Sequence, residues 1–399
     1  GLNTTGNYNS AFGRLALYNN TTGSNNSAFG LCALAENTTA NSNTAVGRGT
    51  LQNSITGGNN TAVGCGASKN ATSADGNTAI GVQALRDNET GDNNVAIGLN
   101  ALLENTTQRN TAVGMSAMIC NTTGQQNVGI GYFALDNNTT GSSNVAIGTA
   151  MGLNSTGSYN VGIGISALTN NNTCSDNVAV GHSSAQETNS AHGIVSIGAY
   201  ALCKNTSGDN NTAVGFCSLV CNVSGGNNVA VGNKSLAAQT TGDSNIAVGE
   251  RAACGLTTGN GNILIGQGIG QGTITGACNV GVAYQGYVNL TSGSCNVAMG
   301  YRALYELEDA AHNIAIGTCA LANTTSIGNQ TAVGACALRA NTTGHSNTAL
   351  GYFASCANTT GCYNTSLGRE SLEATTTGNG NTAVGYQSLA FNTTATGNT

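Results

Sequence analysis

The chain has 399 residues, of which only 7% are charged; it carries 58 glycines, 14 cysteines, no proline and no tryptophan, and its net charge is −6. Ordinary domains are about one-quarter charged, and the absence of any basic stripe argues against nucleic-acid binding. No apolar run reaches the length of a membrane span, so no membrane contact is expected within this segment.

The elements repeat from the first coil onward. The pentad Asn-Thr-Ala-Val-Gly stands at 43–47 and returns at 60–64, 110–114, 211–215 and 381–385, with Asn-Val-Ala-Ile-Gly at 94–98 and 144–148. Its last glycine recurs at 13, 30, 47, 64, 81 and 98 and so on to 385, in steps of 17 residues; two steps, 98–114 and 148–164, are of 16, and Ala283 is the one replacement. A fixed short period over a whole chain marks a repeat architecture. It overrides the two or three domains that length alone suggests, and predicts a single continuous solenoid over 1–399. Gly1 and Thr399 both fall inside a repeat and no signal peptide is visible, so the chain reads as a segment of a longer repeat protein.

Each coil has four features. A bulky apolar residue precedes the glycine (Phe12, Phe29, Val46, Val63, Ile80), Thr, Ser, Val or Ile stands two earlier, and a small residue lies between (Ala11, Ala28, Ala45, Ala62), with Leu264 the large exception. Such alternation predicts a strand. An Ala-Leu pair after the glycine (Ala16 and Leu17, Ala33 and Leu34, Ala84 and Leu85) reads as a second short strand. Asn-Thr-Thr-Gly, at 20–23, 121–124, 138–141, 341–344 and 358–361, is turn chemistry. An asparagine lies four residues before the glycine: Asn43, Asn60, Asn77, Asn94, Asn110, Asn127, Asn144, Asn211 and Asn228 among others, replaced only by Ile194 and Gln330. Amides at one phase predict an asparagine ladder from coil to coil.

Together these predict an all-β, parallel β-solenoid of about 23 coils with two short strands per coil. At roughly 4.8 Å per rung it would be ~110 Å long. The Val/Ile and Leu columns are the expected core. The alanine on the other strand face then needs a closely approaching surface, either the opposite wall of a thin roll or a neighbouring chain.

Candidate modification sites follow from Asn-x-Ser/Thr, the N-glycan acceptor on exposed turns of secreted proteins. They occur near one phase at Asn3, Asn20, Asn37, Asn88, Asn105, Asn121, Asn138, Asn171, Asn205, Asn222, Asn341, Asn358 and Asn392, and slightly shifted at Asn70, Asn154, Asn289 and Asn323. Cys278 with Cys295, and Cys319 with Cys336, share a phase on adjacent coils, within the Cα spacing of a disulfide; small buried filler is the alternative use of cysteine. Chemistry is otherwise sparse. The four histidines are far apart, no Cys-x-x-Cys occurs, Glu306, Glu308 and Asp309 read as a solvated turn, and no base stands at a defined phase beside Ser or Cys. No catalytic residue, metal site or cofactor is expected, with covalent glycans the one possible addition, and the chain does not read as an enzyme.

The motif Asn-x-Ala-x-Gly followed by Ala-Leu resembles the head repeats of the YadA-like trimeric autotransporter adhesins and related repeats of phage tail and surface fibres. The resemblance covers the whole chain, although those heads use shorter coils. It implies a parallel β-roll at the cell surface or outside the cell, self-associated as a homotrimer; a single-chain filament is the other arrangement. The expected function is that of a structural subunit of an extracellular fibre, decorated with glycans on its Asn-Thr-Thr turns. An adhesin head that binds host matrix or glycans is the alternative.

Overall fold

The computed structural model describes residues 2–399. The protein is a β-solenoid with 23 strands of three residues, from Ser10–Phe12 to Thr382–Val384, and no helix among the described residues. The chain forms two compact units, one ending at Ile194 and the other beginning at Val195. Within each, successive strands pair in parallel with like over like. In the first, Thr78, Ala79 and Ile80 sit against Val95, Ala96 and Ile97. In the second, Val229, Ala230 and Val231 sit against Ile246, Ala247 and Val248. The 16-residue step at 98–114 keeps this register, Val95 pairing Thr111. The missing residue comes out of the turn: Asn105 bonds the carbonyl of Thr107, whereas Asn121 in a full coil bonds that of Gly124.

Two expectations about the coil are corrected. The first concerns the faces of the strand. Alanine points inward and is buried, as at Ala45, Ala62, Ala79 and Ala96. The bulky residue points outward; Ile80, Ile97 and Ile130 are 39%, 36% and 38% exposed. The interior is filled instead from the opposite wall, where Leu34, Leu51, Leu85, Leu102 and Leu135 are buried completely. A 17-residue coil is so narrow that a leucine from one wall leaves room for only a methyl group on the other.

The second concerns the Ala-Leu pair, which forms a turn and no strand. Two residues and four residues after the glycine, the backbone is left-handed, with φ of 56° at Gln83 and 55° at Leu85. This conformation costs a non-glycine residue about 1–2 kcal/mol. Burying the leucine side chain offsets it by about 1.5–3 kcal/mol, and the turn still bonds the next coil, through Leu85 N–H to Ala101 O at 2.9 Å and Asp87 N–H to Leu103 O at 3.0 Å.

The marker glycine is required for two reasons. Gly81 has φ +138°, and a Cβ there would lie 2.4 Å from the carbonyl oxygen of Gly98 on the next coil. Where the leucine column changes, the facing alanine changes with it. A Cβ on Gly129 would lie 2.8 Å from Met118 Cγ, and one on Gly162 would lie 2.9 Å from Met151 Cγ. In the glycine- and glutamine-rich stretch, Leu264 and Ile269 crowd Gly281, whose added Cβ would lie 2.4 Å from Ile269 Cδ1. Tyr287 fills the remaining space, fully buried, its hydroxyl donating to Val280 O at 3.3 Å.

Candidate functional site

Two asparagine columns run through each unit, and their roles differ from the expectation. Asn43, Asn60, Asn77, Asn94, Asn110, Asn127, Asn144, Asn211 and Asn228 are all buried. Each braces the following coil: Asn43 Nδ2 donates to Gly57 O at 2.8 Å, and its Oδ1 accepts from Asn60 N–H at 2.9 Å. The same pair of bonds recurs at Asn110 (2.9 and 3.0 Å) and at Asn211 (2.7 and 3.0 Å). These amides therefore form a ladder, but mainly with backbone. Gln330 takes the place of asparagine with its longer amide reaching Gly344 O at 2.6 Å.

The amide-to-amide ladder is built by the asparagines of the Asn-x-Ser/Thr turns. Asn20 Nδ2 donates to Asn3 Oδ1 at 2.9 Å, Asn37 to Asn20 at 2.7 Å, Asn121 to Asn105 at 2.8 Å and Asn138 to Asn121 at 2.6 Å. It continues from Asn154 to Asn138 and from Asn171 to Asn154, both at 3.1 Å, and reappears from Asn222 to Asn205 at 2.9 Å and from Asn358 to Asn341 at 3.0 Å. Each amide also donates to a carbonyl of its own turn, as Asn138 does to Gly141 O at 2.9 Å.

This corrects the expectation that these asparagines face solvent. Asn20, Asn37, Asn88, Asn105, Asn121, Asn138, Asn171, Asn205, Asn222, Asn341 and Asn358 are buried, and a nitrogen that donates inside the coil, to two acceptors as at Asn121 or to one as at Asn88, has no room for a glycan. Asn3 is exposed and Asn392 half-buried. Of the shifted sites, Asn154 is buried, Asn70 half-buried, and Asn289 and Asn323 exposed. A further set went unnoticed in the sequence. Asn25, Asn59, Asn210 and Asn329 also begin Asn-x-Ser/Thr, lie one residue before the bracing column, and are exposed with left-handed backbone, φ 55° to 61°. The signal was an amide pair before Ser or Thr, Asn-Asn at 25, 59 and 210 and Asn-Gln at 329, in which the second amide drew attention from the first.

Cys278, Cys295, Cys319 and Cys336 are free thiols. Cys278 and Cys295 lie exposed on adjacent coils, both with φ 59°, and Cys319 and Cys336 are half-buried with φ 54° and 58°. Burial pushes the thiols of Cys120, Cys217 and Cys356 up, away from the reactive thiolate. No group of three metal-ligating side chains occurs among the described residues, and no helix there is long and apolar enough to cross a membrane.

What each unit presents outward is the strand face. Val, Ile, Leu, Phe or Met occupies the third strand position in every coil, exposed or half-buried, so the apolar column continues from strand to strand along each unit. Beside it, just after the marker position, aromatic and cationic side chains stack in the second unit. The Tyr284 and Tyr301 rings lie 5.9 Å apart and 11° from parallel. The Arg369 guanidinium lies 5.5 Å from the Tyr352 ring and 5.8 Å from that of Tyr386. No protein-family model matches the chain, and no curated protein matches it.

Proposed function

We propose that this protein is a structural module of an extracellular or cell-surface fibre whose coils self-associate through the strand face. The observation that carries the reading is the outward column of Val and Ile side chains: about 40% exposed at Ile80, Ile130 and Ile147, it is uninterrupted by charge. A continuous exposed apolar stripe of this kind marks an interaction surface. Its regular spacing suits a second copy, because a periodic stripe finds complementary periodicity in itself. A homotrimer, as the YadA-like resemblance implies, would enclose three such stripes; a chain that worked as a single filament would have to leave them in water.

The test is sedimentation of the whole chain beside an Ile97→Lys, Ile130→Lys, Ile147→Lys variant. These side chains leave the core untouched, so the variant keeps its circular dichroism. The reading requires an oligomer for the parent and a monomer for the variant. A monomeric parent at tens of micromolar, or equal oligomers for both, overturns it.

A second reading, an adhesin head that binds matrix or glycans, is favoured by the Tyr352, Arg369 and Tyr386 stack, since exposed aromatic faces suit sugar rings.

A further inference from the structure

The unit ending at Ile194 contains a concavity of about 560 Å³ on the flank of the coil, past the marker glycine and off the strand face. It exists because two consecutive coils lack a side chain at one phase. Two residues after the glycine, neighbouring coils carry Cys32, Gln83 and Asn100 with φ 57°, 56° and 57°. Gly49 and Gly66 hold the same phase with φ 65° and 67°. The backbone does not demand glycine there: a Cβ on Gly66 would meet only Gln83 Cγ at 3.9 Å. The missing side chains open a notch.

Three cationic side chains converge on it, Arg48, Lys69 and Arg86, out of 11 Lys and Arg in the chain. Lys69 and Arg86 stand at one phase on adjacent coils, five residues after Gly64 and Gly81. In-register stacking sets their backbones roughly 4.8 Å apart, so like charges are held together. Asp87 answers only part of this. It accepts from Arg86 Nε at 2.9 Å and Nη2 at 2.7 Å, and from Asn70 Nδ2 at 2.9 Å. Asn70 in turn accepts from Asn53 at 3.0 Å, which fixes the floor. Neither Arg48 nor Lys69 has an ion pair among the described residues.

We propose that the notch at Gly49 and Gly66 is a binding subsite for a sugar ring that carries an oxyanion, the carboxylate, sulfate or phosphate held by Arg48 and Lys69 and the ring seated over the two glycines. The charge pattern calls for an anion, and a guanidinium fork matches a planar or tetrahedral oxyanion. The volume calls for more than the anion: it lies within the ~300–1,000 Å³ of small-molecule sites, well beyond what a lone sulfate fills. The wall adds the Gln83 amide, a donor and acceptor suited to ring hydroxyls. The subsite belongs to one unit of one chain and stands whether or not the strand faces assemble.

The test is calorimetric titration of the whole chain with glucuronate, glucose 6-sulfate, glucose 6-phosphate, glucose and inorganic sulfate, which also separates the three oxyanions. At least one of the acidic sugars binds saturably, with glucose and inorganic sulfate at least about tenfold weaker, a difference of ~1.4 kcal/mol. Lys69→Gln and Arg48→Gln each weaken that binding by about tenfold. Gly66→Gln, which fills the notch with the residue that the next coil already carries at that phase, abolishes it without altering the circular dichroism. No saturable binding of any acidic sugar, or binding unchanged in Gly66→Gln and Lys69→Gln, overturns the site. Inorganic sulfate binding as tightly as the sugars overturns the saccharide assignment.

Discussion

Asn138 is the sharpest place to test the interior ladder. Its Nδ2 donates to Asn121 Oδ1 at 2.6 Å and to Gly141 O at 2.9 Å, and its Oδ1 accepts from Asn154 Nδ2 at 3.1 Å. Replacing it by alanine deletes all three bonds, and the damage is unequal. Gly141 O keeps a second donor, Asn127 Nδ2 at 2.8 Å, and Asn154 Nδ2 keeps Gly157 O at 3.1 Å. Asn121 Oδ1 is left buried without that donor. An orphaned buried acceptor costs about 1–3 kcal/mol, and each of the other bonds contributes about 0.5–1.5 kcal/mol. Asn138→Ala is therefore expected to destabilise by roughly 2–6 kcal/mol. Asn323→Ala is the matched control, an Asn-x-Thr asparagine that is exposed, and should stay within about 0.5 kcal/mol. The assay is the urea midpoint by circular dichroism, with native-state hydrogen exchange of residues 105–157 as the local readout, because solenoids can unfold in parts. If Asn138→Ala and Asn323→Ala had the same midpoint and the same exchange, the turn asparagines would be surface residues and the ladder argument would fail.

Three further outcomes follow from the same packing. The amide ladder is interrupted where the next coil lacks asparagine: Asn37, Asn222 and Asn358 leave Oδ1 buried without a partner, facing Ser54, Gln239 and Thr375 at the next rung. Thr375→Asn would join Asn358 to Asn392 and stabilise the protein by about 1 kcal/mol after loss of the Thr375 hydroxyl bond to Asn392 O, read as a higher urea midpoint. Gly129→Ala forces a methyl into Met118 and should cost about 1–3 kcal/mol, most of it recovered in the double variant with Met118→Leu, which restores the usual Ala and Leu pair; thermal unfolding of the three proteins checks this. The carboxyl of Asp87 lies below the ordinary range because Arg86 hydrogen-bonds and attracts it. A lowered folded value means that its stabilisation is present above the ordinary aspartate pKa of about 4 and is lost as pH falls through the lower folded value. The gap in urea midpoint between the parent and Asp87→Asn should therefore close as the pH falls below about 4, and a gap that widened there would refute the sign.

The repeat period by itself determined most of the architecture. Identical pentads at a spacing of 17 place a three-residue strand before each glycine, and like residues at one phase leave a single in-register parallel pairing, as Ala79 over Ala96 shows. The bracing column could also be read directly, since an amide at a constant phase beside a strand end has only the next rung to bond. Which side of the strand lies inside could not be read. Alternation separates Ala from Val and Ile but carries no label for the interior, and the larger apolar residue is the usual guess. The tertiary structure decided otherwise because the leucine arrives from the opposite wall on a left-handed turn, as at Leu85, and its bulk leaves space only for Ala79 and its equivalents. The same closure carries Asn138 inward. Local turn chemistry is indifferent to whether an asparagine faces water, whereas a coil this narrow gives its amide only two other places to go, a carbonyl of its own turn and the amide one rung away.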